Sequence, residues 1–105
     1  MDPRLVSAAK EIRDECGRDY VGLWWLPGTI LQHIPDSTEA ERKQLSLEIV
    51  EGLLADPKIT VGQFRDHVFQ PWSLQPAEAY NRIWREWRDL GREPNLGEIC
   101  WFVET

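Results

Sequence analysis

Histidine, cysteine and methionine are scarce in this 105-residue sequence: two His, two Cys and one Met. His33, His67, Cys16 and Cys100 stand apart, with no C-x-x-C and no H-x-x-x-H spacing, so the pattern of a metal site is missing. The seven glycines are likewise scattered singly and build no phosphate-cradling loop. The expectation is a chain with no metal and no cofactor. No apolar run approaches the ~18 residues that a membrane-spanning helix needs, which argues against membrane insertion. Met-Asp-Pro-Arg-Leu lacks a basic segment followed by an apolar one, so no secretory signal is expected. Two cysteines without an export signal read as reduced thiols in a cytoplasmic protein.

Positive charge is also short. Twelve basic residues face 18 acidic ones, a net charge of −6, which repels phosphate backbones and disfavours nucleic acid as a partner. The series Arg82, Arg85, Arg88 and Arg92, interleaved with Trp84 and Trp87, has the look of a stacking surface. Glu78, Glu86, Asp89 and Glu93 cancel it charge for charge. Nucleophilic catalysis needs a Ser or Cys placed by a His and an orienting acid. Asp66-His67 and His33 with Asp36 are the nearest approaches to that arrangement, and sequence neighbours point apart. The chain is expected not to be an enzyme. A small hydrolase using His67 or His33 is the enzyme-class alternative.

What the sequence has is a core. Hydrophobic residues make up 42%, with six Trp, three Phe and two Tyr, enough apolar area to fold one domain over residues 1–105 without disulfides. Asp2, Pro3 and Gly17 bracket a helix whose Leu5, Ala9, Ile12 and Cys16 face inward; Gly17 is expected to end it in the left-handed conformation. Tyr20 to Ile34 reads as two short helical pieces broken at Pro27. Thr38 to Ala55 is a helix with a capping box, Thr38 to Glu41, and two apolar rows: Leu45, Ile49, Leu53 and Leu47, Val50, Leu54. A last helix runs from about Pro76 to Leu90, with Ala77, Tyr80, Ile83, Trp84, Trp87 and Leu90 as its apolar face. Ile99 to Val103 has strand composition and needs a partner, with Ile59–Val61 or Phe64–Phe69 as candidates. The fold class is therefore mainly α: a bundle of about four helices with a small β element, the C-terminal strand pairing a central segment.

The acidic excess is local. Asp36 to Asp56 carries six acids (Asp36, Glu39, Glu41, Glu48, Glu51, Asp56) against Arg42 and Lys43, a net of −4. Glu41, Gln44, Glu48 and Glu51 fall at i, i+3, i+7 and i+10 and share one outer helix face. A solvated helix face is the plain explanation of such a run. The functional one is a binding surface for a basic partner, because opposite fields speed encounter and penalise wrong partners.

The order of features resembles small bacterial immunity proteins encoded beside polymorphic or contact-dependent growth inhibition toxins. The resemblance is carried by Gly22-Leu23-Trp24-Trp25-Leu26, then by Glu41-Arg42-Lys43 through Glu51-Gly52-Leu53-Leu54. Lys58-Ile59-Thr60-Val61-Gly62 and Trp87 to Gly97-Glu98-Ile99-Cys100-Trp101-Phe102 continue it. It implies a protein that binds and neutralises a cognate toxin domain. Charge complementarity, and not the resemblance, assigns the surface: a basic, nuclease-type toxin would meet Glu41, Glu48 and Glu51, with Asp36, Glu39 and Asp56 at the rim. A regulatory or adaptor subunit of another complex is the alternative within the binding class. Oligomeric state is left open.

Overall fold

Capping chemistry sets the helix ends in the computed structural model, which describes residues 2–105. Helix α1 spans Pro3–Cys16, with the Arg4 N–H donating to the Asp2 carboxylate at 2.8 Å and Pro3 at the first position. Its end departs from expectation: Gly17 has φ −79°, an ordinary right-handed value, and its N–H closes on the Asp14 carbonyl. Helix α3, Glu39–Ala55, has the expected box: the Glu41 N–H donates to the Thr38 hydroxyl, and the Thr38 N–H to the Glu41 carboxylate. Helix α4, Pro76–Leu90, does end in a left-handed glycine, Gly91 at φ 72°.

Between α1 and α3 the expected break at Pro27 does not occur. Strand β1 takes Val21–Gly22, and helix α2 runs unbroken over Trp25–His33. Pro27 is the third residue of α2, inside the first turn, where a backbone N–H has no partner within the helix, so a proline there costs no hydrogen bond. Val21 and Gly22 are drawn into a strand by pairing with Phe102 and Trp101, which lie about 80 residues downstream.

The β component is a full layer, larger than the small element expected. Strands β2 (Ile59–Arg65), β3 (Val68–Pro71) and β4 (Trp101–Glu104) join β1 in an antiparallel sheet of order β1-β4-β2-β3. The C-terminal strand does pair with the central segment, Ile59↔Glu104 through Gly62↔Trp101. The stretch after Gly62 forms a hairpin turning at Asp66-His67, both at positive φ (52° and 65°). Two such residues make a two-residue hairpin loop whose twist suits the flanking strands, and Asp and His tolerate it better than branched residues. Gly62 is required here, because a Cβ would collide with the Gln70 carbonyl and the Pro71 backbone. Helices still account for over half the chain. An antiparallel sheet with helices on one face is the arrangement that results.

Period-two alternation divides the sheet. Val21, Phe102 and Val61 form a buried row against the helices. Leu5, Ala8, Ile12 and Cys16 of α1, Ile49, Val50 and Leu53 of α3, and Ala79, Ile83 and Trp87 of α4 complete one core. Two expectations are corrected at α4. Trp84 is 42% exposed, and Ala77 is exposed where Ala79 is buried. The buried row Ala79–Ile83–Trp87 runs at i, i+4, i+8, and Trp84 lies one residue, or ~100°, around the helix from Ile83. Cys16 and Cys100 are free, buried thiols. Burial pushes the Cys16 thiol up to about 11 and Cys100 higher still, leaving both inert as nucleophiles. The radius of gyration, 12.9 Å, is that of one compact domain of this length.

Candidate partner-binding surface

Helix α3 turns Leu47, Ile49, Val50 and Leu53 to the core, which sends Glu41, Gln44, Glu48 and Glu51 outward as their spacing requires. Glu48 and Glu51 flank an open depression of about 390 Å³ between α3 and α4, floored by Leu47 and Tyr80 and walled by Trp84. A further hollow beside Leu54 and Ala77, and another beside Glu39 and Gly91, continue it along the helix seam. Small residues, Ala40, Ala77 and Gly91, keep this groove open. Trp84 stands in it with the Arg88 guanidinium 5.3 Å from its ring centroid, a cation–π contact that holds the indole without burying it.

The six acidic residues do not form one patch. Asp36 pairs with Arg4 at 3.2 Å yet remains 80% exposed at the N-terminal approach to α3. Glu39 accepts the Glu93 N–H at 3.3 Å. Glu41 is committed to the cap, and the Thr38 N–H holds its carboxyl below the usual range. Asp56 lies on the α1 side, accepting from the Lys58 N–H and from Arg13 Nε at 2.7 Å, and both, the N–H first, hold its carboxyl low. Arg13 also reaches Glu104 at 2.9 Å, so this cluster fastens α1 to the ends of α3 and β4. Among the described residues only Glu48 and Glu51 of the six have neither a hydrogen-bond nor an ion-pair partner.

The two histidines lie in separate places. His33 Nε2 lies 3.3 Å from Glu11 Oε1, tying α2 to α1, and His67 sits exposed at the hairpin tip. No group of three or more His, Cys, Asp or Glu gathers to hold a metal ion among the described residues. Three of the four arginines of the series are spent on acids: Arg82 pairs with Glu86 at 2.6 Å while lying 3.9 Å from the Trp72 ring centroid, and Arg92 grips Glu98. Asp89 pairs with its neighbour Arg88 at 3.0 Å, where sequence spacing favours Arg85.

Two features escape the sequence reading. One is the exposure of Trp84; seven apolar residues in a fifteen-residue helix make a stripe wider than one buried face, which is the signal available. The other is an aromatic cluster on the helix-free side of the sheet. Tyr20, Phe69 and Trp101 all lie within 5.5 Å of Phe64, centroid to centroid. Phe64 and Phe69 are alternate-position residues facing each other across a hairpin, a pairing visible only once the turn at Asp66-His67 is known.

No helix of the described residues is long and apolar enough to cross a membrane. Compared with family models, curated proteins and solved structures, the chain matches none.

Proposed function

We propose that this chain is an immunity protein that binds and neutralises a basic, nuclease-type toxin through the outer face of α3. The observation that carries the reading is the pair Glu48 and Glu51, two unpartnered carboxylates beside an exposed tryptophan in an open groove. Exposed Trp anchors binding because it buries a large rigid area at small entropic cost. Unpaired carboxylates around it supply the field that attracts a basic cleft. Asp36 and Glu39 extend that field along the N-terminal end of α3, while Glu41 and Asp56 hold the scaffold. Neutralisation by occlusion requires no chemistry from the chain and no cofactor. An adaptor subunit of another complex could use the same groove, and gene neighbourhood separates the two, since immunity requires a toxin gene alongside.

Co-expression with the neighbouring toxin tests the reading. The wild-type chain should restore growth, and Glu48→Lys with Glu51→Lys should slow association in stopped-flow mixing and flatten its salt dependence. The melting temperature should stay nearly unchanged. Absence of protection by the wild type refutes the function. Unchanged association rates in the double variant return the acidic face to a solvated surface.

A further inference from the structure

We infer that the helix-free face of the sheet is a self-association surface, on which a second copy of this chain docks sheet to sheet. The outward row of the strands is Gly22, Thr60, Gly62, Phe64, Phe69, Pro71, Trp101 and Val103, which contains no charged residue and is covered at Gly22 by the Trp24 indole. Tyr20, from the loop before β1, completes the ring cluster: its centroid is 4.9 Å from Phe64 and 5.1 Å from Phe69. Tyr20 and Phe64 are 39% and 40% exposed, so the cluster remains open to water instead of forming a second sealed core.

Charge restricts where two copies can meet. Each chain carries −6 overall, so two copies repel wherever acidic faces meet. The aromatic face is the surface on which they can touch without opposing carboxylates. A face-to-face pairing also leaves both α3–α4 grooves directed away from the contact. Edge-to-edge association is closed off at both sides of the sheet. Strand β1 is two residues long, and β3 carries Pro71. In the hairpin register Arg65 and Val68 form the hydrogen-bonded pair next to the turn. Phe69 and Pro71 therefore turn their backbone groups to the open edge, where proline offers no N–H.

Area sets the strength. A ring side chain presents roughly 150–250 Å², so two rings about two-fifths open and two less open supply on the order of 250 Å². Thr60 and Val103, both partly buried, and Pro71 raise this to roughly 400 Å² per copy, a total of about 800 Å², the range of weak, transient contacts. The dimer should be reversible and concentration-dependent.

Sedimentation velocity from about 5 to about 500 µM reads it directly, that range spanning micromolar affinity. The wild type should move from 12.3 kDa toward twice that mass. Raising salt should strengthen the dimer, because it screens the net negative charge and removes no attraction. Phe64→Glu should stay monomeric, with self-association weakened at least tenfold; Tyr20→Glu serves in its place if circular dichroism shows the first variant unfolded. Trp84→Ser, in the helix groove, should leave the dimer unchanged. A wild type monomeric at the highest concentration overturns the inference. So does a dimer indifferent to both ring variants, weakened by salt, or lost in Trp84→Ser. None of these outcomes bears on toxin protection, which is assayed separately.

Discussion

Arg92 and Glu98 close the α4–β4 connection with a two-pronged ion pair, Nη1 to Oε1 at 2.7 Å and Nη2 to Oε2 at 2.9 Å. The Asn95 N–H donates to the same carboxylate at 2.6 Å, so one side chain fixes both ends of the turn that presents Leu96, 73% exposed. Bidentate geometry is what makes a surface pair of this kind worth counting.

That clamp has a pH signature. The Arg92 guanidinium, then the Asn95 N–H, hold the Glu98 carboxyl down at about 2, and Asp2, Asp14, Glu41 and Asp56 are also lowered by their partners. Unfolded carboxylates take up protons near pH 4, before these folded ones do. Their contribution to stability is therefore complete above about pH 5 and is lost as pH falls toward about 2. Urea midpoints should drop across that window, and less steeply in Glu98→Gln. Equal slopes in wild type and variant would mean that the clamp is open in solution.

Ser46 is fully buried in α3, and its hydroxyl has no hydrogen-bond partner among the described residues. An unpaired buried hydroxyl keeps its desolvation cost without a compensating bond. Ser46→Ala should be neutral or stabilise by up to ~1 kcal/mol in chemical denaturation. A loss greater than ~1 kcal/mol would reveal a buried water bonded to that oxygen.

The two central tryptophans of α4 should part company. Trp87 is 2% exposed, and Trp87→Ala should cost about 3–5 kcal/mol. Trp84 is 42% exposed, and Trp84→Ala should cost under ~1 kcal/mol while weakening partner binding. Similar losses at both positions would place Trp84 in the core after all.

Glycine substitutions give opposite signs at two sites. Gly52, in the last turn of α3, has nothing within 4 Å of an added Cβ, so Gly52→Ala should stabilise by up to ~1 kcal/mol. Gly62→Ala should destabilise and loosen the β2–β3 hairpin, because backbone atoms of Gln70 and Pro71 occupy the space. Amide exchange at Phe69 to Pro71 would report the loosening, and unaltered exchange with unchanged stability would count against the register Gly62↔Pro71.

Legibility followed the range of the interactions. Asp2-Pro3, Thr38 with Glu41, and Gly91 act within one turn of chain, and each sets its helix end as its local chemistry implies. Gly17 did not, because nothing in a glycine obliges it to adopt positive φ. The segment around Pro27 misled for a related reason: proline breaks a helix interior and is harmless in a first turn, so the outcome depended on where α2 began. That start was set by β1, whose pairing lies far along the chain.

The sequence by itself determined that this chain builds an acidic, disulfide-free domain around α3, since composition, capping and 3.6-residue periodicity are local properties. It also determined that Glu48 and Glu51 face outward, because their partners in the repeat are committed to the core. Only the tertiary structure decided which carboxylates are free, since Asp36, Glu39 and Asp56 find Arg4, Glu93 and Arg13 across contacts between separate elements. It alone decided that Trp84 is open while Trp87 is sealed, and that Tyr20, Phe64, Phe69 and Trp101 meet on one face. Those facts depend on pairing and packing between residues up to about 80 positions apart, which one-dimensional periodicity does not encode.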